Sequence, residues 1–254
     1  PWLKHQHGLD VRLSVQLPLL KLLQQALGDT LPVEPANPRR SLPEGSSGRV
    51  LPLPSAPAVF GTCQEHPALA SPHLKADPQT VDEWRQRLNL APGEYLLGLN
   101  WQGLPLRLPT LTERHPSDIP LELLAPLAEL KNTQLVSLQK GIGSEQLDSC
   151  RFRHRFIASQ ADVSMELRME QTAALMSLCD WIVTDDSGPA HLAGCLGIRT
   201  IVLLPERSNW RWGHASSQIP WYPNTTLLRQ RSGEGWQPLV AQARQIIENQ
   251  SEAL

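Results

Sequence analysis

Thr184-Asp-Asp-Ser-Gly-Pro-Ala-His191 places two acids, a hydroxyl, a glycine and a histidine between two apolar stretches. The preceding Trp181-Ile-Val-Thr184 reads as a buried strand, and Pro189 to Leu196 as an apolar helix. A helix N-terminus offers unpaired N–H groups and roughly half a positive charge, so its favoured guest is a phosphate. Ser187 reads as the helix cap, and Gly188 as the residue that lets a ligand approach the backbone. The chemistry expected is binding of a nucleotide or sugar nucleotide. An ordinary cap worth about 1 kcal/mol explains Ser187 equally well. Asp186 would repel a phosphate, so it either holds a sugar hydroxyl or orients the loop. His191 either touches ligand or is a core-edge histidine satisfied by its neighbours.

Three more strand ends carry candidate chemistry. Strand Leu135 to Leu138 leads into Gln139-Lys140-Gly141-Ile-Gly143, where the glycines permit close approach and Lys140 either meets a phosphate or is simply solvated. This Gly-x-Gly lacks the third glycine of a dinucleotide fingerprint, and the chain has no Gly-x-x-x-x-Gly-Lys loop. Strand Thr200 to Leu204 leads into Pro205-Glu-Arg-Ser-Asn-Trp-Arg-Trp-Gly213, in which Trp210 and Trp212 flank Arg211. That loop either stacks a base or sugar face and neutralises a diphosphate, or covers the sheet end. Strand Tyr95 to Trp101 leads into Gln102-Gly103 and then a Pro-rich loop with Arg107, Arg114 and His115.

The elements that must hold these residues alternate. Beyond Gly93 come helix Ile119 to Leu130, a short strand around Phe156, helix Met165 to Cys179 and a last helix, Trp236 to Asn249, with Leu239, Val240, Ala243, Ile246 and Ile247 on one face. Short apolar strands between helices predict an α/β fold with a parallel sheet covered on both faces, and a ligand beyond the C-terminal strand ends. Before Gly93, residues 9–25 read as a strand then a helix, residues 31–57 as a Pro/Ser/Gly-rich loop, and Asp77 to Leu88 as a capped helix. A boundary at 93/94 divides the chain into domains 1–93 and 94–254.

Composition narrows the function classes. The 254 residues carry 23 basic and 25 acidic side chains and a net charge of -2, which disfavours a general nucleic-acid grip. Cys63, Cys150, Cys179 and Cys195 are too scattered for a zinc site or a disulfide framework. No run reaches transmembrane length, so a soluble, reducing, cytoplasmic setting is the expectation. The missing initiator Met points to a fragment or processed product.

The words Phe60-Gly-Thr62, Asp77-Pro78 with Trp84, Leu97-Gly-Leu-Asn-Trp101, Ser137-Leu-Gln-Lys-Gly141, Asp185-Asp-Ser-Gly-Pro-Ala-His-Leu-Ala-Gly194, Leu203-Leu-Pro205 with Asn209-Trp-Arg-Trp212, and Pro220-Trp-Tyr-Pro223 with Leu228-Arg-Gln230 run through about four-fifths of the chain. Together they resemble glycosyltransferase family 9, the heptosyltransferase-like group, above all the glycosyltransferase domains fused to tetratricopeptide repeats. The resemblance implies a GT-B architecture: two Rossmann-like domains with parallel sheets facing a cleft, the N-terminal one incomplete here, and a final helix crossing back. It implies a metal-independent transfer from a nucleotide-diphosphate sugar, with no cofactor, to a hydroxyl of a glycan, lipid-linked or protein acceptor, at a site peripheral to the membrane or free in the cytoplasm. Donor contacts transfer to Asp186, Ser187, Gly188 and His191, and in the related loops to Lys140, Gly141, Trp210 and Arg211. The family's Gly-rich turn bearing an acid has no counterpart before Leu9, and Asp29 follows the segment matching the second strand, so no catalytic base is assigned. Leu104-Pro-Leu-Arg107 also departs from the more basic loop of relatives. A second reading is a catalytically inactive module that binds a nucleotide sugar or a protein partner; a third is a hydrolase or epimerase of the same architecture.

Overall fold

The runs Leu96 to Leu99, Trp181 to Thr184 and Thr200 to Leu204 are apolar almost throughout, and each becomes a strand buried on both faces. They lie in a computed structural model that describes residues 8, 10–36, 50–52, 55, 74–103, 118–166, 168–213 and 216–251. Phe60-Gly-Thr62, Cys63, Arg107, Arg114 and His115 fall outside the described residues. The chain divides into two units, Pro1–Ala70 and Ser71–Leu254.

In the first unit, strand β1 (Leu13–Val15), helix α1 (Leu17–Leu27) and strand β2 (Val33–Pro35) form a parallel βαβ turn, with Leu13 opposite Val33. Pro18 opens α1, where its missing N–H costs nothing, and Leu22 is its buried contact. Gln24 Nε2 donates to the Val33 carbonyl at 3.1 Å, tying helix to strand. β2 corrects the expectation of continuous loop over 31–57. Three residues among prolines are too few to display a period of two, and the pairing with β1 makes the strand.

In the second unit the sheet is parallel throughout, in the order β4 (Thr133–Ser137), β3 (Tyr95–Leu99), β5 (Trp181–Thr184), β6 (Thr200–Leu204), β7 (Thr225–Arg229). Side chains alternate across it. Ile201 and Leu203 of β6 share a cluster with helix α8 (Gln237–Ser251), which contributes Leu239, Val240, Ala243 and Ile247. Val202 and Leu204 face Ala190, Trp212, Ile219 and Leu227 on the other side. The apolar stripe of α8 is thus spent on this unit's own sheet.

Helix α2 (Pro78–Leu88) starts where Asp77 accepts from the Thr80 N–H at 2.9 Å and stops at Asn89 in the left-handed region, φ 46°. Its buried Trp84 donates Nε1–H to Gln171 Oε1 at 2.8 Å on helix α6 (Met169–Met176), so α2 lies in the second unit. The division falls at Ala70/Ser71, ahead of that helix.

Two expected helices are broken. Over 119–130, Pro120 and Pro126 divide the segment into a 3-10 turn, Leu121–Leu124, and the short α3 (Ala125–Ala128). Over 165–179, α5 (Gln160–Met165) ends and α6 begins four residues later, because Glu166 turns back to accept from the Arg168 backbone N–H at 3.0 Å and from its guanidinium. A short α4 (Gln146–Ser149) precedes them. The strand expected near Phe156 is an isolated parallel bridge to Leu135.

Candidate functional site

The order of strands fixes where a ligand fits. From β3 the chain moves to β4 on one side, then returns to β5 on the other, so the connections leave the C-terminal ends of β3 and β5 in opposite directions. Such a switch point leaves a crevice outside the strand ends, the usual ligand position in open α/β sheets. Asn100 to Gly103 form one lip, and Asp185 to Gly188 the other, where helix α7 (Gly188–Leu196) begins.

Asn100 Nδ2 spans the two lips, donating to Asp185 Oδ1 at 2.8 Å and to Ser187 Oγ at 3.0 Å. Ser187 stands at the N-cap position in extended conformation, but its hydroxyl donates to Asp185 Oδ1. The expected side-chain cap is therefore corrected: Ser187 makes no cap hydrogen bond, because its hydroxyl is turned to the Asp185 carboxylate and its oxygen accepts from Asn100 Nδ2 instead of a helix N–H. Among the described residues the first-turn amides of α7 have no side-chain acceptor, Ala190 N–H bonding only to the Ser187 carbonyl at 3.1 Å, and Gly188 is exposed with open space where a Cβ would point. At Gly103 a Cβ would lie 3.3 Å from Ser187 Cβ and 3.4 Å from Asp185 Oδ2, so the two lips approach closely only because that residue is glycine.

Asp185 itself is fully buried. Burial pushes its carboxyl up to about 6, against the downward pull of the Ser187 and Asn100 hydrogen bonds. Among the described residues its Oδ2 has no hydrogen-bond partner.

Asp186 performs the loop-orienting role. Its Oδ1 accepts from Trp212 Nε1 at 2.5 Å, and its Oδ2 from the Asn209 backbone N–H at 3.3 Å. Asn209 Oδ1 in turn accepts from the Arg211 N–H at 3.2 Å, which shapes the 3-10 turn Trp210–Trp212. Arg229 closes the loop from β7, donating to the Trp212 and Gly213 carbonyls at 3.3 and 3.1 Å and to Ser208 Oγ. The two tryptophans diverge. Trp212 is buried and stacks on His191, centroids 4.7 Å apart at 12°, whereas Trp210 is half exposed beneath the Arg211 guanidinium at 5.8 Å. His191 Nδ1 also meets Tyr222 Oη at 3.2 Å. Burial, and then the Arg211 charge, lower its pKa to about 4, so the ring is neutral at pH 7. The structure thus places His191 in the packed base of the loop.

Lys140 and Gly141 stand farther along the strand-end row, past β3 at β4. Lys140 Nζ donates to the Val163 carbonyl, and burial lowers its pKa to about 8. Gly141 and Gly143 both take positive φ, and a Cβ on Gly143 would meet Gln102 Oε1 at 2.5 Å. Gln139 fastens this turn to the first lip, accepting from the Trp101 and Gln102 N–H groups at 3.0 and 2.9 Å. Asn100, Gly103, Asp185 and Arg229 were not singled out from the sequence as site residues. A polar residue at the end of an apolar strand was the available signal for Asn100, and the doubled acid for Asp185.

Fold and site define an α/β protein with a parallel sheet of flavodoxin-like strand order and a helix N-terminus open at its switch point. Residues 140–239 match the model of glycosyltransferase family 9 (heptosyltransferase). Among solved structures, the chain is similar to the glycosyl transferase family 9 from Veillonella parvula DSM 2008, at 18% identity and TM-score 0.43 over 62% of this chain and 42% of that one. It is also similar to the E. coli ADP-heptose lps heptosyltransferase II, at 18% identity and TM-score 0.43 over 69% of this chain and 54% of that one. The chain spans about half the length of these two structures. No curated protein matches it. Among the described residues no helix is long and apolar enough to cross a membrane, and no group of three or more His, Cys, Asp or Glu is placed to hold a metal ion.

Proposed function

We propose that this chain carries the donor-binding part of a glycosyltransferase that uses a nucleotide-diphosphate sugar without a bound metal. The observation that supports this reading most is the uncapped start of α7 at the β3/β5 switch point, inside the stretch that matches the family model. In this reading the diphosphate lies against the Gly188 end of α7, where the helix dipole favours negative charge. Arg211 lies on the adjoining turn over the exposed Trp210 face, where its guanidinium would meet that charge, and Trp210 offers a stacking surface for base or sugar. In the transfer, an acceptor hydroxyl oxygen bonds to the anomeric carbon as the bond from that carbon to the diphosphate breaks. The bonding pair leaves with the diphosphate, where preorganised helix amides and the guanidinium stabilise it, and the hydroxyl proton passes to a general base. The remainder of the proposed GT-B architecture supplies the acceptor, a glycan, lipid-linked or protein hydroxyl.

Thermal unfolding with ADP, UDP, GDP and their hexose esters tests the donor site. A ligand present at about 100 times its Kd adds roughly 2.7 kcal/mol of stability. Gly188→Asp has room for its side chain and places an acid in the first turn, where the helix tolerates it. The expected result is an intact fold with the ligand-induced shift abolished. An unchanged shift in that variant removes the site from α7, and binding without sugar transfer to any acceptor favours the inactive-module reading.

A further inference from the structure

The proposed site contains a charge that works against its own ligand. Asp185 is fully buried just after β5, three residues before α7 opens, in the lip that would cradle the diphosphate. Oδ1 is held by Asn100 and Ser187, while Oδ2 lies under Gly103 with no partner among the described residues. Among the described residues the other charge acting on it is Asp186, which adds to the same sign. Asp186 is already engaged by the Asn209 N–H and Trp212 Nε1, with Arg229 close enough to feel its charge. Among the described residues no cation pairs with Asp185, which stands three residues ahead of the first residue of α7.

Resting on the donor-site reading, we propose that Asp185 is a positioning residue that discriminates donor from product by charge. A nucleoside diphosphate carries one more negative charge at pH 7.5 than its sugar ester, because esterification removes the terminal ionisable oxygen. An ionised Asp185 beneath the cradle therefore disfavours the departing diphosphate more than the incoming nucleotide sugar and promotes product release. One added unit charge about 6 Å away, at an effective dielectric constant of about 40 to 80, corresponds to roughly three- to tenfold in relative affinity. Protonation of Asp185 removes the discrimination. Burial has already moved that event up toward pH 6, within reach of a titration.

The test is calorimetric titration of the intact chain and of Asp185→Asn with ADP against ADP-glucose and UDP against UDP-glucose at pH 7.5. Asn keeps an acceptor for Asn100 and Ser187 while losing the charge. The expected result is that both ligands bind the variant more tightly, and that the diphosphate gains roughly three- to tenfold more than its sugar ester. A second measurement needs no variant. The diphosphate diester of a nucleotide sugar does not titrate between pH 7 and 5, so its affinity for the native chain should rise over that range, and in Asp185→Asn should stay flat. An unchanged diphosphate-to-ester ratio, or equal pH slopes in the two proteins, overturns the role of Asp185 while leaving the donor site standing. Absence of binding by all four ligands to the native chain overturns the donor-site reading and this one with it.

Discussion

Asp185 and His191 are buried titratable groups whose shifts run in opposite directions across the same pH range. Asp185 rises from 3.8 to about 6, so its penalty is absent at low pH and grows to its full size as pH rises through 6. His191 falls from 6.5 to about 4, so its penalty is absent above pH 6.5 and grows as pH falls. Each shift corresponds to something on the order of 3 kcal/mol at its limit. Between pH 6.5 and 5 the two contributions largely cancel. Thermal unfolding of the native chain should be nearly flat there, while Asp185→Asn should lose about 1–2 kcal/mol on acidification, because His191 binds a proton in the unfolded chain that the buried ring does not. Parallel pH profiles for the two proteins would contradict this pairing. The acid pair was readable as a pair in the sequence, but which acid does which task was not. Asp186 hydrogen-bonds to the loop 23 to 26 residues away, and Asp185 to Asn100, 85 residues back, and local spacing carries neither contact.

At the scale of elements, the Asn209 to Gly213 loop is held by Asp186 from β5 and Arg229 from β7. Asp186→Ala strands the buried Trp212 indole N–H without its acceptor and should cost about 1–3 kcal/mol in urea unfolding. The same variant should weaken nucleotide-sugar binding, because Arg211 loses its fixed position. A variant as stable as the native chain would show that the loop holds itself. Strands Trp181–Thr184 and Thr200–Leu204 were legible to the residue, since continuous apolar runs ended by turn chemistry leave little choice. β7 was not anticipated. Thr225-Thr-Leu-Leu-Arg229 is half polar, and pairing with β6 along its whole length is what makes it a strand. The broken helices over 119–130 and 165–179 show the converse, with proline and a local carboxylate hydrogen bond overriding a helical pattern.

For the whole molecule, the position of α2 separates two possible boundaries. Residues 71–254 include Trp84, packed at 1% exposure and bonded to Gln171, whereas a piece beginning at 94 leaves that surface of α6 uncovered. The longer piece should unfold at a higher urea concentration than residues 94–254, and Trp84→Ala should cost it about 3–5 kcal/mol. Equal midpoints for the two pieces would favour the boundary at Gly93, which the turn Ala91-Pro-Gly93 suggests when α2 is read without its tertiary partner. The parallel α/β character of the larger unit was readable from alternating elements alone. The central claim is the location of the donor diphosphate, and a crystal structure of the chain with a bound nucleotide sugar tests it most directly. The account predicts phosphate oxygens within hydrogen-bonding distance of the Gly188 end of α7, between Gly103 and Arg211. Phosphates bound elsewhere, with the β3/β5 crevice closed by the protein's own side chains, would contradict it.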